Sequence, residues 1–285
     1  MLKNILFFCL FFSVLAVGSH ASEMDGIFSY RVGQIEVFML VERESDGNPG
    51  IIPSAGEAIL RSYIPADGFR HSTNAFLIKT PSHIVLVDTG FGAALFDKLG
   101  ILGVDPMDVD AVLLTHLHGD HIGGLQREGR ALFPRAWIYL SEREWVHFTQ
   151  TQVNQGAVAA LAAYGDRVVT FDPVALGSIP REVFPGISSI ANYGHTPGHT
   201  VYLIENGSSR LIIAGDFLHV ALVQIPHPEI SATFDMDQIA ASNSRRQLLD
   251  YAARNRIPIG GMHIVYPGIG YIEAFGNGFR FTAAR

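Results

Sequence analysis

The feature that most restricts what this chain can fold into is the stretch Thr115-His116-Leu117-His118-Gly119-Asp120-His121-Ile122-Gly123-Gly124, which directly follows the apolar run Val112-Leu113-Leu114. Three histidines and an aspartate within six residues offer neutral imidazoles and a carboxylate, the donors that suit zinc where no thiolate is present. In an extended stretch His116 and His118 point to the same side and can grip one ion together. A turn into helix after them swings Asp120 and His121 toward a second position. The glycines let the backbone turn and pack closely. By chance, such a pattern arises in about one chain in a thousand of this composition.

Four residues cannot close two metal sites, and further donors follow three other apolar runs. Gly194-His195-Thr196-Pro197-Gly198-His199-Thr200 follows residues 187–191, Gly215-Asp216 follows 211–214, and Gly261-Met262-His263 follows 257–259. Strand-like runs at 34–40, 75–79, 84–87, 112–114, 137–140, 168–171, 187–191, 201–205 and 211–214 are interspersed with helical patches at 154–163 and 237–255. Ser141-Glu142-Arg143-Glu144 is a capping-box pattern, which predicts a helix starting there and carrying Trp145 and Phe148. Two sets of strands with interspersed helices imply a layered α/β arrangement.

Composition narrows the function. With 48% hydrophobic and 16% charged residues among 285, the chain is too apolar to stay disordered, and it shows no internal repeat. A single cysteine, Cys9, excludes a disulfide scaffold and any thiolate metal cluster. Net charge is −7, and the longest basic stretch is the Arg245-Arg246 pair, too little to track a phosphate backbone. Nucleic acid is therefore excluded as an expected partner.

The run THLHGDHIGG, with GHTPGHT, AGDFLH and GMHIVYPGIG after it, resembles the metallo-β-lactamase superfamily in its binuclear hydrolase form. Within it the chain is most similar to methyl parathion hydrolases and the neighbouring acyl-homoserine lactonases. HSTNAFLIKT (71–80), IVLVDTGFG (84–92), HVALVQIPHPE (219–229) and YPGIGYIEAFGNGFRF (266–281) support the likeness, which covers most of residues 71–285. The resemblance implies a four-layer αββα sandwich with two zinc ions, or other divalent transition metals, at one sheet edge. It also implies the ligands: His116, His118 and His199 on one ion, Asp120, His121 and His263 on the other, and Asp216 bridging. Asp88 in the VDTG segment resembles a residue that orients a metal-bound histidine. Flavodiiron relatives carry glutamate where His118 stands, so hydrolytic zinc is favoured over redox iron. His71, His83, His147, His195 and His227 are not expected to be ligands.

Five imidazoles and two carboxylates would place two negative charges around four positive ones, which favours a bridging hydroxide. Bound zinc lowers the pKa of its water to about 7, so no serine or cysteine nucleophile is needed. Asp216 and Asp120 are the candidate catalytic residues, the first as bridge and the second as proton carrier to the leaving group. The acidic composition suggests a small neutral substrate: a phosphotriester, an aryl ester or a lactone. The alternatives are acyl-homoserine lactone cleavage as the main activity, or a β-lactamase-like hydrolase. Lactonases of this type place a tyrosine three residues after the bridging aspartate. Here His219 stands there, either as an acid or oxyanion donor or as a histidine beside the ligands. Trp145 and Phe148 are candidate pocket walls, with plain core packing the other reading of their helical spacing.

The first 21 residues form a separate unit. Lys3 precedes a 13-residue apolar run, 5–17, and Ser19 and Ala21 sit at −3 and −1 of a cut before Ser22. The run is short for a bilayer span and suits a secretory signal. The expectation is an exported protein, periplasmic or secreted, with a hydrolase domain over 22–285, no integral membrane segment after cleavage, and a homodimer left open. N-terminal sequencing of the mature protein is expected to begin near Ser22; a cytoplasmic protein retaining Met1 would contradict export.

Overall fold

Neighbouring side chains along the strands enter different cores. Val37 and Met39 join one buried cluster while Phe38 and Leu40 join another, the two-residue period of a strand covered on both faces. The computed structural model describes residues 25–285; the apolar N-terminal segment and its expected cut before Ser22 lie outside the described residues. Chain order gives β1 (Ile27–Val32), β2 (Ile35–Asp46), β3 (Arg70–Lys79), β4 (Ile84–Val87) and β5 (Ala111–Leu113). A small hairpin, β6 (Gln126–Arg127) and β7 (Arg130–Ala131), precedes β8 (Trp137–Ser141) and β9 (Val168–Phe171). All but the hairpin pair in the order β1-β2-β3-β4-β5-β8-β9, antiparallel as far as β4 and parallel beyond it.

The second sheet runs in chain order: β10 (Glu182–Phe184), β11 (Ile187–Ala191), β12 (Thr200–Asn206), β13 (Ser209–Ile213), β14 (Ile259–Gly260), β15 (Ile269–Phe275) and β16 (Gly278–Ala283). The helices are α1 (Gly56–Tyr63), α2 (Leu95–Ile101), α3 (Gly119–Ile122), α4 (Glu142–Val146), α5 (Gln155–Ala162), α6 (Ala221–Gln224) and α7 (Gln238–Asn255). Met39, Phe76, Ile78, Val85 and Val87 of the first sheet share a core with Tyr202, Ile204, Leu211 and Ile213 of the second. The outer face of the first sheet, including Leu77, Leu86 and Val112, packs on Leu95 and Leu99 of α2 and on Ala157 and Leu161 of α5. The outer face of the second, including Val201, Leu203 and Ile212, packs on Leu248, Leu249 and Ala252 of α7. The result is the expected αββα sandwich. No helix among the described residues is long and apolar enough to cross a membrane.

The predicted strands at 84–87, 168–171 and 187–191 match their observed bounds, and the 237–255 helix starts one residue later, at Gln238. Several elements went unread, among them β1, β10, α1, α2 and the hairpin of β15 and β16, which turns at Gly276-Asn277. The predicted capping box does not form. Ser141 makes no side-chain cap bond, and Glu144 is fully buried with its carboxylate turned toward other loops. The helix it was to cap is only five residues long and runs into a wider turn over His147–Thr151.

Phe76 seals the seam between the sheets, its ring occupying the space a side chain on Gly260 would need. Truncating a buried aromatic removes its transfer free energy and leaves a cavity, a cost of about 3–5 kcal/mol. Phe76→Ala is therefore expected to lower stability by that amount, read from denaturant unfolding with the midpoint shifted and the slope unchanged.

Candidate metal centre

The donor-bearing residues lie just beyond the carboxyl ends of strands. His116, His118, Asp120 and His121 follow β5, His195 follows β11, Asp216 follows β13 and His263 follows β14. Facing sheets therefore deliver donors to one edge, the usual place for a site in parallel α/β arrangements.

Two clusters form. In the first, His116, His118, His195 and Asp216 each present one donor atom, all within 4.8 Å of one another. His195 Nε2 lies 3.2 Å from His116 Nε2 and 3.0 Å from His118 Nδ1, and His116 Nε2 lies 3.0 Å from His118 Nδ1. Donors held about 2.0–2.1 Å from one tetrahedral zinc stand about 3.3 Å apart, so the triangle suits such an ion. The second cluster is Asp120, His121 and His263. Asp216 is a member of the first and adjoins the second: Oδ1 is 3.2 Å from His121 Nε2, while Oδ2 is 3.0 Å from His263 Nε2 and 3.4 Å from His195 Nε2.

Outer partners fix which ring nitrogen faces the centre. His121 Nδ1 donates to Asp88 Oδ2 (2.6 Å), His195 Nδ1 to Asp235 Oδ1 (3.1 Å) and His263 Nδ1 to the Ser72 carbonyl (2.7 Å). Each leaves Nε2 as the inward lone pair. Asp88 also accepts from the Thr115 amide and hydroxyl (2.8 and 2.6 Å) and holds a left-handed backbone with φ 57°. Such strain in a non-glycine residue persists where surrounding bonds over-determine it. Asp235 is in turn held by Arg245, a fully buried guanidinium that also donates to the carbonyls of Phe217, Pro228 and Ile230.

The electrostatics favour cations. Burial, with repulsion from His121, holds His116 well below the ordinary histidine range, and burial holds His118 down to about 4. These imidazoles are therefore neutral donors. Burial alone would raise Asp216, yet His121, His263 and His116 hold it well below the carboxylate range. His121 Nε2 and Asp216 Oδ1 are buried without a hydrogen-bond partner, the orphan pair a bound cation would satisfy. Asp120 and Asp216 place two carboxylates among the donors, with Asp88 behind His121 and Asp235 behind His195. The residues fit the metal centre expected of them.

The expected ligand His199 is not part of either cluster, and His195 takes its place. Both His199 nitrogens are spoken for: Nδ1 donates to the Asn192 carbonyl (3.0 Å) and Nε2 accepts from the Asp216 amide (2.9 Å). GHTPGHT contains two histidines, and spacing alone does not say which ring turns inward. His219 packs between His195 and His263, with Nε2 3.3 Å from Asp216 Oδ2 and Nδ1 unpartnered. Burial holds it down to about 4.

A cavity of about 430 Å³ opens on the second cluster, walled by Phe91, Phe234, His71 and Arg43. Trp145 and Phe148 do not line it. Phe148 is buried in the outer core of the first sheet, its ring centroid 5.8 Å from that of His118, and Trp145 packs on that core and lines a separate groove. Their spacing reflects packing. Arg43 stacks over Phe91, so the cavity has a cation at its wall that the acidic composition concealed. Phe234, Asp235, Arg245 and Arg43 carry no local sequence signal, because their roles depend on distant partners.

A metallo-beta-lactamase superfamily model matches residues 68–256. The chain belongs to this superfamily. Several of its relatives and structural neighbours are named as hydrolases. Probable metallo-hydrolase Rv2300c of Mycobacterium tuberculosis (strain ATCC 25618 / H37Rv) is 24% identical over 215 residues, covering 64% of this chain and 68% of that protein. Anti-Pycsar protein Apyc1 of Saccharibacillus brassicae is 42% identical over 60 residues, 21% of this chain, which span only 24% of the relative. The match to YobT of Bacillus subtilis (strain 168) spans 60% of that relative. Among solved structures, the hydrolase AbOPH of the beta lactamase superfamily aligns with a TM-score of 0.81 at 25% identity, over 93% of this chain and 99% of that one. The dizinc quorum-quenching lactonase AidC shares the fold with a TM-score of 0.81 at 23% identity, over 93% and 99% of the two chains.

The two histidines of GHTPGHT are expected to part company on mutation. His195→Ala should lose one bound ion by elemental analysis. His199→Ala should keep its ion count but lose about 1–3 kcal/mol of stability, because the buried Asp216 amide is left without an acceptor.

Proposed function

We propose that this protein is an exported binuclear zinc hydrolase of small neutral ester-like substrates: phosphotriesters, aryl esters or lactones. The single observation that carries this reading is the pair of donor clusters meeting at Asp216. Bound divalent ions would supply Lewis acidity and lower the pKa of water to about 7. His116, His118, His195 and Asp216 would hold one ion, and Asp120, His121, His263 and Asp216 the other.

The chain's own residues divide the remaining tasks. Asp120 is the partly exposed carboxylate of the centre, lies at the cavity and is held below its usual range against burial, chiefly by His121. As a carboxylate it would first accept the proton released by the attacking water and then hand it to the departing oxygen. Phe91 and Phe234 offer apolar walls to an acyl, aryl or alkoxy arm, and His71 stacks on His263 at the cavity wall (4.6 Å). Burial and repulsion from His263 hold His71 down to about 4, so it adds an uncharged, polarisable surface. Asp88 and Asp235 hold the ligand rings in place, so the reacting groups meet a preorganised site.

Lactone cleavage as the main activity is the second reading. It is supported by the likeness to AidC, which was solved in complex with the product N-hexnoyl-L-homoserine. The place of the lactonase tyrosine is filled here by buried His219, which favours the broader ester reading. A panel on zinc-loaded enzyme tests both. Methyl parathion, p-nitrophenyl acetate and an acyl-homoserine lactone are expected to be turned over far better than a cephalosporin, with activity lost on chelation. Asp216→Asn should lower the occupancy of both ions. A cephalosporin outpacing all three would overturn the proposal.

A further inference from the structure

We propose that Glu144 is a positioning residue that sets the geometry of one half of the centre, the His116/His118/His195 cluster, by clamping together the two loops that carry it. The proposal rests on the two-ion reading above. Glu144 is fully buried, yet its carboxylate makes no bond within its own helix α4. Oε1 accepts from the Leu117 amide (3.0 Å); Oε2 accepts from the Thr196 hydroxyl (2.7 Å) and the Gly198 amide (2.9 Å).

The identity of those donors matters. Leu117 lies between His116 and His118, on the loop after β5 of the first sheet. Thr196 and Gly198 follow His195, on the loop between β11 and β12 of the second sheet. One carboxylate therefore ties together the two loops that, among the described residues, supply imidazoles to this cluster, and it does so across the seam between sheets. The fit is close: a Cβ on Gly198 would stand 2.3 Å from the Glu144 backbone nitrogen. Only a glycine lets the second loop approach α4 near enough for its amide to reach Oε2.

Such burial is costly. Desolvation pushes Glu144 up to about 7 although Thr196, Leu117 and Gly198 all donate to it. Three hydrogen bonds to the loops that carry a donor cluster give that cost a purpose beyond core packing. The other cluster is held differently. Asp88 braces His121, the Ser72 carbonyl braces His263, and Asn74 donates to the carbonyls of Gly261 and Ile264 on either side of His263. Glu144 touches none of these. Its loss should therefore weaken one ion and spare the other, whereas general damage to the fold would weaken both.

Glu144→Gln preserves shape but places an amide where two donors now point. The test is competitive titration of the apo-protein with zinc against a chromophoric chelator, alongside visible spectra of the cobalt-loaded form. Wild type is expected to bind two ions. In Glu144→Gln, one affinity should fall about 10–100-fold, the range for loss of outer-sphere support, with one set of cobalt bands changed and the other retained. Activity should recover at excess metal. Thr196→Val, which removes a single arm of the clamp, should shift the same ion by less, and it serves should the glutamine variant fail to fold. Equal weakening of both ions, or unchanged affinities in folded variants, would overturn the role of Glu144. A wild type holding one ion would instead contradict the two-ion reading, and the clamp then stands or falls on whether that ion is weakened in the variants.

Discussion

Asp216 organises this protein. Its carboxylate is almost fully buried and lies 3.0 Å from His263, 3.2 Å from His121, 3.3 Å from His219, 3.4 Å from His195 and 3.8 Å from His116. An ionised carboxylate in such a place needs positive charge close by, and neutral imidazoles cannot supply it. Without ions, His121 and His263 are drawn toward their protonated forms, both raised by Asp216 and Asp120 against the effect of burial. Divalent ions would replace those protons. The family's dependence on metal is thus visible as an electrostatic demand of one buried group.

Meeting that demand requires several parts of the chain to arrive together. The sandwich does this by ending strands of both sheets at one edge and letting short loops, not long side chains, carry the donors. Short loops are stiff only when braced, and the braces are buried polar contacts: Asp88 beneath His121, Asp235 and Arg245 behind His195, Asn74 beside His263. Arg245 also ties down the carbonyls of Pro228 and Ile230, so one guanidinium anchors both the segment leading to the cavity wall at Phe234 and the carboxylate behind His195.

The sequence by itself made a layered α/β arrangement and the donor-bearing loops legible, because these are local matters; the family resemblance supplied the αββα architecture and a ligand set of seven, six of which fall in the two donor clusters or beside them. H-x-H-x-D-H fixes donor type and spacing within one turn of chain, and alternation along each strand fixes which side chains are buried. What remained open was set by contacts between residues far apart in the chain. His195 and His199 are equivalent as letters; the Asn192 carbonyl and the Asp216 amide occupy the second ring and leave the first to face the centre. Glu144 reads as a helix cap, and only the approach of loops from two sheets turns its carboxylate outward from the helix. Trp145 and Phe148 have the spacing of a pocket wall and of a core stripe alike, and the position of α4 against the first sheet decides for the core. A side chain's type is a property of its position in the sequence. The direction its donor faces depends on which distant group has already claimed its other atoms, and that is settled only in three dimensions.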